Sequence, residues 1–254
     1  MFAWLRGRKP KDARFIFLVG AMKCGTTSLA GALGRHPAIV RGKRKEVDYF
    51  VTVEPKVESA SAYMANWPRI ISKNCYLLDA SPGYSKFPFF GPSAAAIAAA
   101  TTAPKIIYIM RDPIKRIESH LVHSVTSSAD NLAQYLAKKD TFGYYKYHIG
   151  VSSYAMQLAQ YTAHFPRCDI LPLVFEDVFA KPNAALNKIW AFLDLPVPDD
   201  PIALGKRNVG QLLPEVICQP ILPQVIREKA VELLRPDMEV LKEDWGVNIT
   251  QWGF

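Results

Sequence analysis

Lys23, Thr26, Thr27 and Ser28 fall in one short stretch, with Gly20 before them and Gly25 among them. An ammonium group, a row of hydroxyls and the backbone N–H groups of a glycine-bearing turn are the donors that hold a phosphate. A second set lies far downstream, where Arg111 precedes Asp112 and Pro113, and Ser119 follows. A guanidinium and a hydroxyl suit a second anion. Glu46 stands directly after Arg41, Lys43, Arg44 and Lys45, with Asp48 beyond it. A carboxylate there is a candidate proton acceptor, and the alternative reading is a solvated basic turn followed by a short edge strand. Lys206 and Arg207 sit in a loop flanked by Gly205 and Gly210, which either closes over an anion or is a plain connection.

The elements that must carry these residues are legible around them. Phe15 to Val19 is an apolar run that suits a strand buried on both faces. Gly20 and Gly25 permit a tight turn with close approach to a ligand. The Thr-Thr-Ser cluster opens a helix with Leu29, Ala32 and Leu33 on its apolar face, and Gly34 and Pro37 end it. The helix start offers free N–H groups and a favourable dipole. The order differs from G-x-x-x-x-G-K-[ST], because Thr26 follows Gly25 and the lysine comes before it. The alternative is an ordinary strand–turn–helix with incidental glycines. Cys24 is read as a small residue lining the loop. Its alternative is a reactive thiol beside a helix start and a lysine.

Lys105 to Met110 reads as a strand that delivers Arg111 at its end. Asp112 is placed to cap the next helix, with Pro113 at the first helical position. Ile114, Ile117 and Leu121 would be its buried face, with Lys115 and Ser119 sharing another. Two anion sites at two strand ends imply a cofactor with two separated phosphates.

The chain has 254 residues and a net charge of +8, with 50% hydrophobic and 21% charged residues. That length suits one sizeable α/β domain, here 1–254, with 1–13 expected to be a basic, poorly ordered extension. No apolar run approaches the roughly 20 residues of a membrane span, and the start has no signal-peptide core. A cytoplasmic location is the expectation. The four cysteines form no metal-type pair, and a disulfide framework is not expected. The basic residues are dispersed and no nucleic-acid module appears, so a small polyanion is favoured over DNA or RNA. His120 and His123 have no nearby carboxylate to complete a metal set, and no metal is expected.

Elsewhere, Val53 to Trp67 reads as helical and Cys75 to Asp79 as a short buried strand. Asp79 at a strand end is a candidate site residue. Ser93 to Ala100 is a small-residue helix. Tyr144, Tyr145, Tyr147 and His148 precede Gly150 and are candidates to cover a ligand. Tyr154, Leu158 and Tyr161 repeat at helical spacing and read as core. Ile170 to Phe175 is a strand, Asn183 to Leu193 a helix, and Val225 to Leu234 a final helix ended by Pro236.

These residues resemble the PAPS-dependent sulfotransferases, especially bacterial members and the Golgi heparan-sulfate branch. PAPS is 3′-phosphoadenosine-5′-phosphosulfate. Gly20 to Leu29 is similar to the family's 5′-phosphosulfate loop, and Arg111 to Ser119 to its 3′-phosphate motif. Lys45-Glu-Val-Asp-Tyr-Phe50 is similar to the segment with the catalytic glutamate, usually K-E-P-H-F-F. The resemblance runs from Phe15 to about Gly210. It implies a P-loop-like α/β domain with a central parallel sheet flanked by helices. It implies sulfuryl transfer from PAPS, giving PAP, to a hydroxyl or amine of a carbohydrate or small natural product. The family uses no obligatory metal. By resemblance Lys23, Cys24, Gly25, Thr26, Thr27 and Ser28 form the 5′ site. Arg111 and Ser119, with Lys206 and Arg207, take the 3′-phosphate. Lys23 stabilises the departing group, and Glu46 is the general base.

Val47 and Asp48 replace the family's proline and histidine, and Ala80 stands where the heparan-sulfate branch has a lysine. These departures count against a heparan-type acceptor and leave Asp48 and Asp79 as alternative bases. Two other readings remain. One is a small-molecule kinase using ATP, against which the missing lysine after Gly25 counts. The other is a catalytically silent PAPS- or phosphate-binding module, favoured by the altered surroundings of Glu46.

Overall fold

Arg14–Gly20 forms the central strand, β1, and its residues Phe15 to Val19 are fully buried. Side chains that point alternately to both faces must then be apolar throughout, which accounts for the unbroken run Phe-Ile-Phe-Leu-Val. The structure is a computed structural model that describes residues 10–51, 60–68, 74–205, 214–217 and 220–254. After β1 come α1 (Thr26–Leu33), β2 (Ile39–Arg41), α2 (Ala60–Met64), β3 (Tyr76–Asp79) and α3 (Ser93–Ala100). Then follow β4 (Lys105–Met110), α4 (Pro113–Ser127), α5 (Ala129–Lys138), α6 (Lys146–Gly150) and α7 (Tyr154–Thr162). The chain continues through β5 (Ile170–Val174), α8 (Phe175–Ala180), α9 (Pro182–Phe192) and α10 (Gln224–Trp245).

The five strands among the described residues are all parallel, in the order β2-β3-β1-β4-β5. The fold is α/β, a central parallel sheet with flanking helices. Phe15 lies opposite Leu77 on one side, and Phe17 opposite Ile106 on the other. The register slips between Leu18 and Gly20, where the chain leaves the sheet. From β1 the chain moves outward to β2, whereas from β4 it moves the other way to β5. The adjacent ends of β1 and β4 are therefore the switch point of the sheet, where open α/β sheets form a crevice. The two anion-type motifs emerge side by side at that point.

A second core lies beneath α4, α5 and α10, built on Ile114, Ile117, Leu121, Tyr135, Leu222 and Leu234. Tyr154, Leu158 and Tyr161 are buried in the main core, as their spacing suggested. No helix among the described residues is long and apolar enough to cross a membrane.

One expectation is corrected here. The last helix does not stop before Pro236 but runs through it to Trp245. An interior proline costs about 3 kcal/mol. Beyond it, Met238 and Leu241 are fully buried, worth about 1.5–3 kcal/mol each. Asp237 also accepts from Ala155 N at 3.0 Å and Met156 N at 2.9 Å, capping α7 from another helix. Pro236 faces solvent, so the carbonyl it leaves unbonded can be hydrated. The alternative reading of the basic segment put a short edge strand after the turn; the edge strand described here, β2, precedes it. Of the helix expected over Val53 to Trp67, the described part is Ala60–Met64, and residues 52–59 lie outside the described residues.

Candidate functional site

The loop from β1 to α1 is pinned to the neighbouring strand, because Ala21 N donates to Ile109 O at 2.7 Å. Gly20 has φ 151°, and a Cβ there would meet Ser85 Oγ at 2.0 Å, so no side chain fits. Lys23 at φ 70° and Gly25 at φ 83° are both left-handed, which swings the chain into the helix axis. Gly25 is the residue before α1 and gives it no side-chain cap. The helix opens with Thr26 and Thr27 and no carboxylate in its first turn, which leaves its positive end for an external anion. Ser28 is buried within that turn.

Cys24 departs from its expected place in the cradle. Its thiol is fully buried, 4.0 Å from Tyr154 Oη, and its N–H donates to Ala21 O at 3.2 Å. Burial pushes the thiol up to about 12. Cys24 is a packing residue, and neither a thiolate nor a free amide is offered at this position.

At the end of β4, Arg111 is half-buried with its guanidinium 4.9 Å from the centre of the Phe175 ring. Its Nε is buried with no hydrogen-bond partner among the described residues. An unpaired guanidinium nitrogen is costly unless a ligand completes it. Asp112 caps α4 as its sequence suggested, accepting from Ile114 N at 2.9 Å and Lys115 N at 3.1 Å. Two residues not identified from sequence fix this turn. Glu176 Oε1 accepts from Asp112 N at 3.1 Å while its Oε2 accepts from Trp252 Nε1 at 3.2 Å. Tyr154 Oη donates to Arg111 O at 2.7 Å. Glu176 directly follows the strand-like run that ends at Phe175, and a carboxylate at a strand end was the one signal available.

Charge converges at the switch point. The ammonium of Lys23 is held below its usual range, first by burial and then by the cations Lys45 and Arg111. Lys45 and Arg111, from two other segments, therefore both bear on the Lys23 ammonium. Bringing them together is unfavourable in the free protein and becomes favourable when a polyanion sits among them. The uncapped helix, the orphaned Arg111 Nε and this cluster fit a phosphate-bearing cofactor.

Glu46 shares a cleft with Thr26, Thr27, Arg41, Arg44 and Lys45. Its side chain is 44% exposed and pairs with Lys45 at 3.1 Å. Glu46 thus lies in the same cleft as the two threonines that open α1. Asp79 is fully buried, with Oδ1 accepting from Ser81 Oγ at 2.5 Å and Oδ2 from Tyr63 Oη and Tyr84 Oη. Burial pushes its carboxyl up to about 6, against the pull of those three donors. Asp48 is half-buried at φ 49°.

Ser119 is half-buried on α4, two helical turns beyond Arg111. Lys206 and Arg207 lie outside the described residues. Arg116 is fully buried beneath this helix, where it donates to Ser152 Oγ at 2.6 Å, to the His148 carbonyl and to His120 Nδ1 at 3.4 Å. Both histidines are held below their usual range, by burial first and by Arg116 next, with His148 down to about 4. They line a cavity of about 590 Å³ with Ser124, Lys138, Tyr144 and Tyr147. The aromatic run before Gly150 thus faces a cavity in part, while Tyr145 is buried in the second core. Among the described residues no group of three or more His, Cys, Asp or Glu is arranged to hold a metal.

Comparison with known proteins identifies the family and the fold. The family model described as "Sulfotransferase family" matches residues 50–199, a span that contains Arg111, Ser119 and Glu176. The bifunctional heparan sulfate N-deacetylase/N-sulfotransferase 1 of Caenorhabditis elegans is 27% identical over 195 residues, 71% of this chain. The chain spans 22% of that relative's length. The crystal structure of a sulfotransferase from Alicyclobacillus acidocaldarius superposes with a TM-score of 0.69 at 21% identity, covering 95% of this chain and 99% of that one. The sulfotransferase domain of the Synechococcus PCC 7002 olefin synthase superposes at 0.54 with 15% identity, covering 96% and 98%. At such identities these likenesses establish the fold. The family model covers more than half of the chain, and the chain belongs to the sulfotransferase family of enzymes.

Proposed function

We propose that this enzyme moves a sulfuryl group from PAPS to a hydroxyl or amine of a carbohydrate or small natural-product acceptor, with Glu46 as general base. The observation that carries the proposal is the pair of anion-type sites at the adjacent ends of β1 and β4: the uncapped start of α1, and Arg111 with its Nε buried and without a partner among the described residues. Lys23, Thr26, Thr27 and the amides of α1 would hold the 5′-phosphate. Arg111 and Ser119 would hold the 3′-phosphate, with help from Lys206 and Arg207. PAPS supplies the sulfuryl group and a phosphate leaving oxygen. Negative charge that develops on that oxygen needs a fixed cation, and Lys23 is held in place by its left-handed backbone and half-buried position. Glu46 faces the same cleft as Thr26 and Thr27, so a proton on an acceptor there has a carboxylate to receive it. The order Gly25-Thr26, without a lysine after the glycine, favours this reading over ATP-dependent phosphoryl transfer.

The test is release of PAP from PAPS in the presence of a panel of hydroxyl and amine acceptors. Glu46→Gln is expected to lower turnover by about 10²–10⁴-fold, the range for a lost general base. PAP affinity is expected to stay within about twofold, because the substitution leaves the cations in place. Near-normal turnover in Glu46→Gln would move the base elsewhere.

A further inference from the structure

We propose that Asp79 is a positioning residue that sets the place of the segment carrying Glu46. The inference rests on Glu46 being the base. Asp79 has no solvent access, and both of its oxygens accept hydrogen bonds from hydroxyls. An acceptor molecule has no route to it, which removes Asp79 as an alternative base.

The direction of each bond follows from the carboxylate. An ionised carboxyl accepts only, so Ser81 Oγ must give its proton to Asp79 Oδ1. The lone pairs of Ser81 are then free to accept, and Val47 N and Asp48 N donate to them at 3.0 and 3.1 Å. Those are the two peptide groups that follow Glu46. Tyr84 repeats the pattern: its hydroxyl donates to Asp79 Oδ2 at 2.9 Å and accepts from Phe50 N at 3.4 Å. Asp79 therefore orients two hydroxyls, and these hold the peptides of residues 47, 48 and 50. Phe50 is wedged among Phe17, Tyr63 and Tyr84, which closes the same segment against β1. Tyr63 Oη also donates to Asp79, at 3.0 Å, and reaches no peptide of the segment through it. An exposed glutamate between two basic residues and a turn has little of its own to fix it. The Asp79 relay supplies that fixing from the end of β3.

The substitution Asp79→Asn keeps the volume and replaces one acceptor by a donor, which turns a hydroxyl round and breaks the relay. Ser81→Ala removes the relay and leaves the carboxylate. Tyr63→Phe removes a donor that is not part of it. Two readouts are needed: release of PAP from PAPS with water as acceptor, and amide hydrogen exchange in residues 46–51. Asp79→Asn and Ser81→Ala are expected to speed exchange and lower kcat about tenfold or more, with PAP affinity unchanged. Tyr63→Phe is expected to leave kcat near that of the parent. In the Glu46→Gln background, Asp79→Asn and Ser81→Ala are expected to add little, since their effect passes through Glu46. Faster exchange with unchanged kcat would overturn the proposal, as would full additivity with Glu46→Gln. A Glu46→Gln variant with normal turnover would overturn the reading of the base, and this proposal with it. If Asp79→Asn fails to fold, Ser81→Ala gives the same test.

Discussion

Gly25→Ala puts the cradle itself under strain, and its effect follows from local geometry. Gly25 has φ 83°, a region that costs an alanine about 1–2 kcal/mol. The added Cβ would also stand 2.8 Å from Phe179 Cε2 and 3.0 Å from Phe175 Cε2. Those two rings already pack on each other with centroids 4.4 Å apart, so neither can retreat freely. Overpacking of this kind costs about 1–3 kcal/mol, and the two contributions together come to about 2–5 kcal/mol. For a domain of this size the melting temperature is expected to fall by about 4–20 °C. The effect extends to the ligand. Phe175 lies under the Arg111 guanidinium, and Gly25 precedes the amides of α1, so both halves of the proposed phosphate site shift together. Thermal unfolding with and without PAP reads both consequences. A variant that melts within about 1 °C of the parent and binds PAP equally well would refute this account of the loop.

Lys23→Met removes a half-buried cation that Lys45 and Arg111 repel, so the free protein is expected to melt no lower than the parent. Its PAP affinity is expected to fall by about 10- to 150-fold, the loss of a hydrogen bond between charged groups. A drop in melting temperature without a loss of affinity would contradict that. Glu176→Gln turns one of two acceptors into a donor facing an N–H, at Asp112 or at Trp252. The cost is about 1–3 kcal/mol, with weaker PAP binding because the turn after Arg111 loosens. Calorimetry of unfolding and of PAP binding checks both.

The parts of this fold that were legible in the sequence are those whose determinants are local. The run Phe15 to Val19, the glycines at 20 and 25, and Asp112-Pro113 each fix their element within a few residues, and β1, α1 and the start of α4 stand where those signals put them. What escaped is non-local. Pro236 is a helix breaker by its own chemistry, and it is overruled by Met238, Leu241 and the cap that Asp237 places on α7. Glu176 acts on a peptide that lies 64 positions earlier. Asp79 and Ser81 reach back to residues 47 and 48, a non-local link between the segment after β2 and the end of the neighbouring strand β3. Cys24 sits in a loop of donors, yet its side chain faces Tyr154 across 130 positions. The elements that carry the candidate site residues could thus be read from local pattern, and the side chains that hold them steady could not.

The most direct test is thermal unfolding of the protein with PAP, with ATP plus magnesium, and with neither. A ligand that binds only the folded state, at about 100 times its dissociation constant, adds about 2.7 kcal/mol. At this chain length that corresponds to a rise of about 5–11 °C. A rise of that size with PAP, and none with ATP and magnesium, is the predicted result. A rise with ATP and magnesium but not with PAP would contradict the assignment of the two phosphate sites.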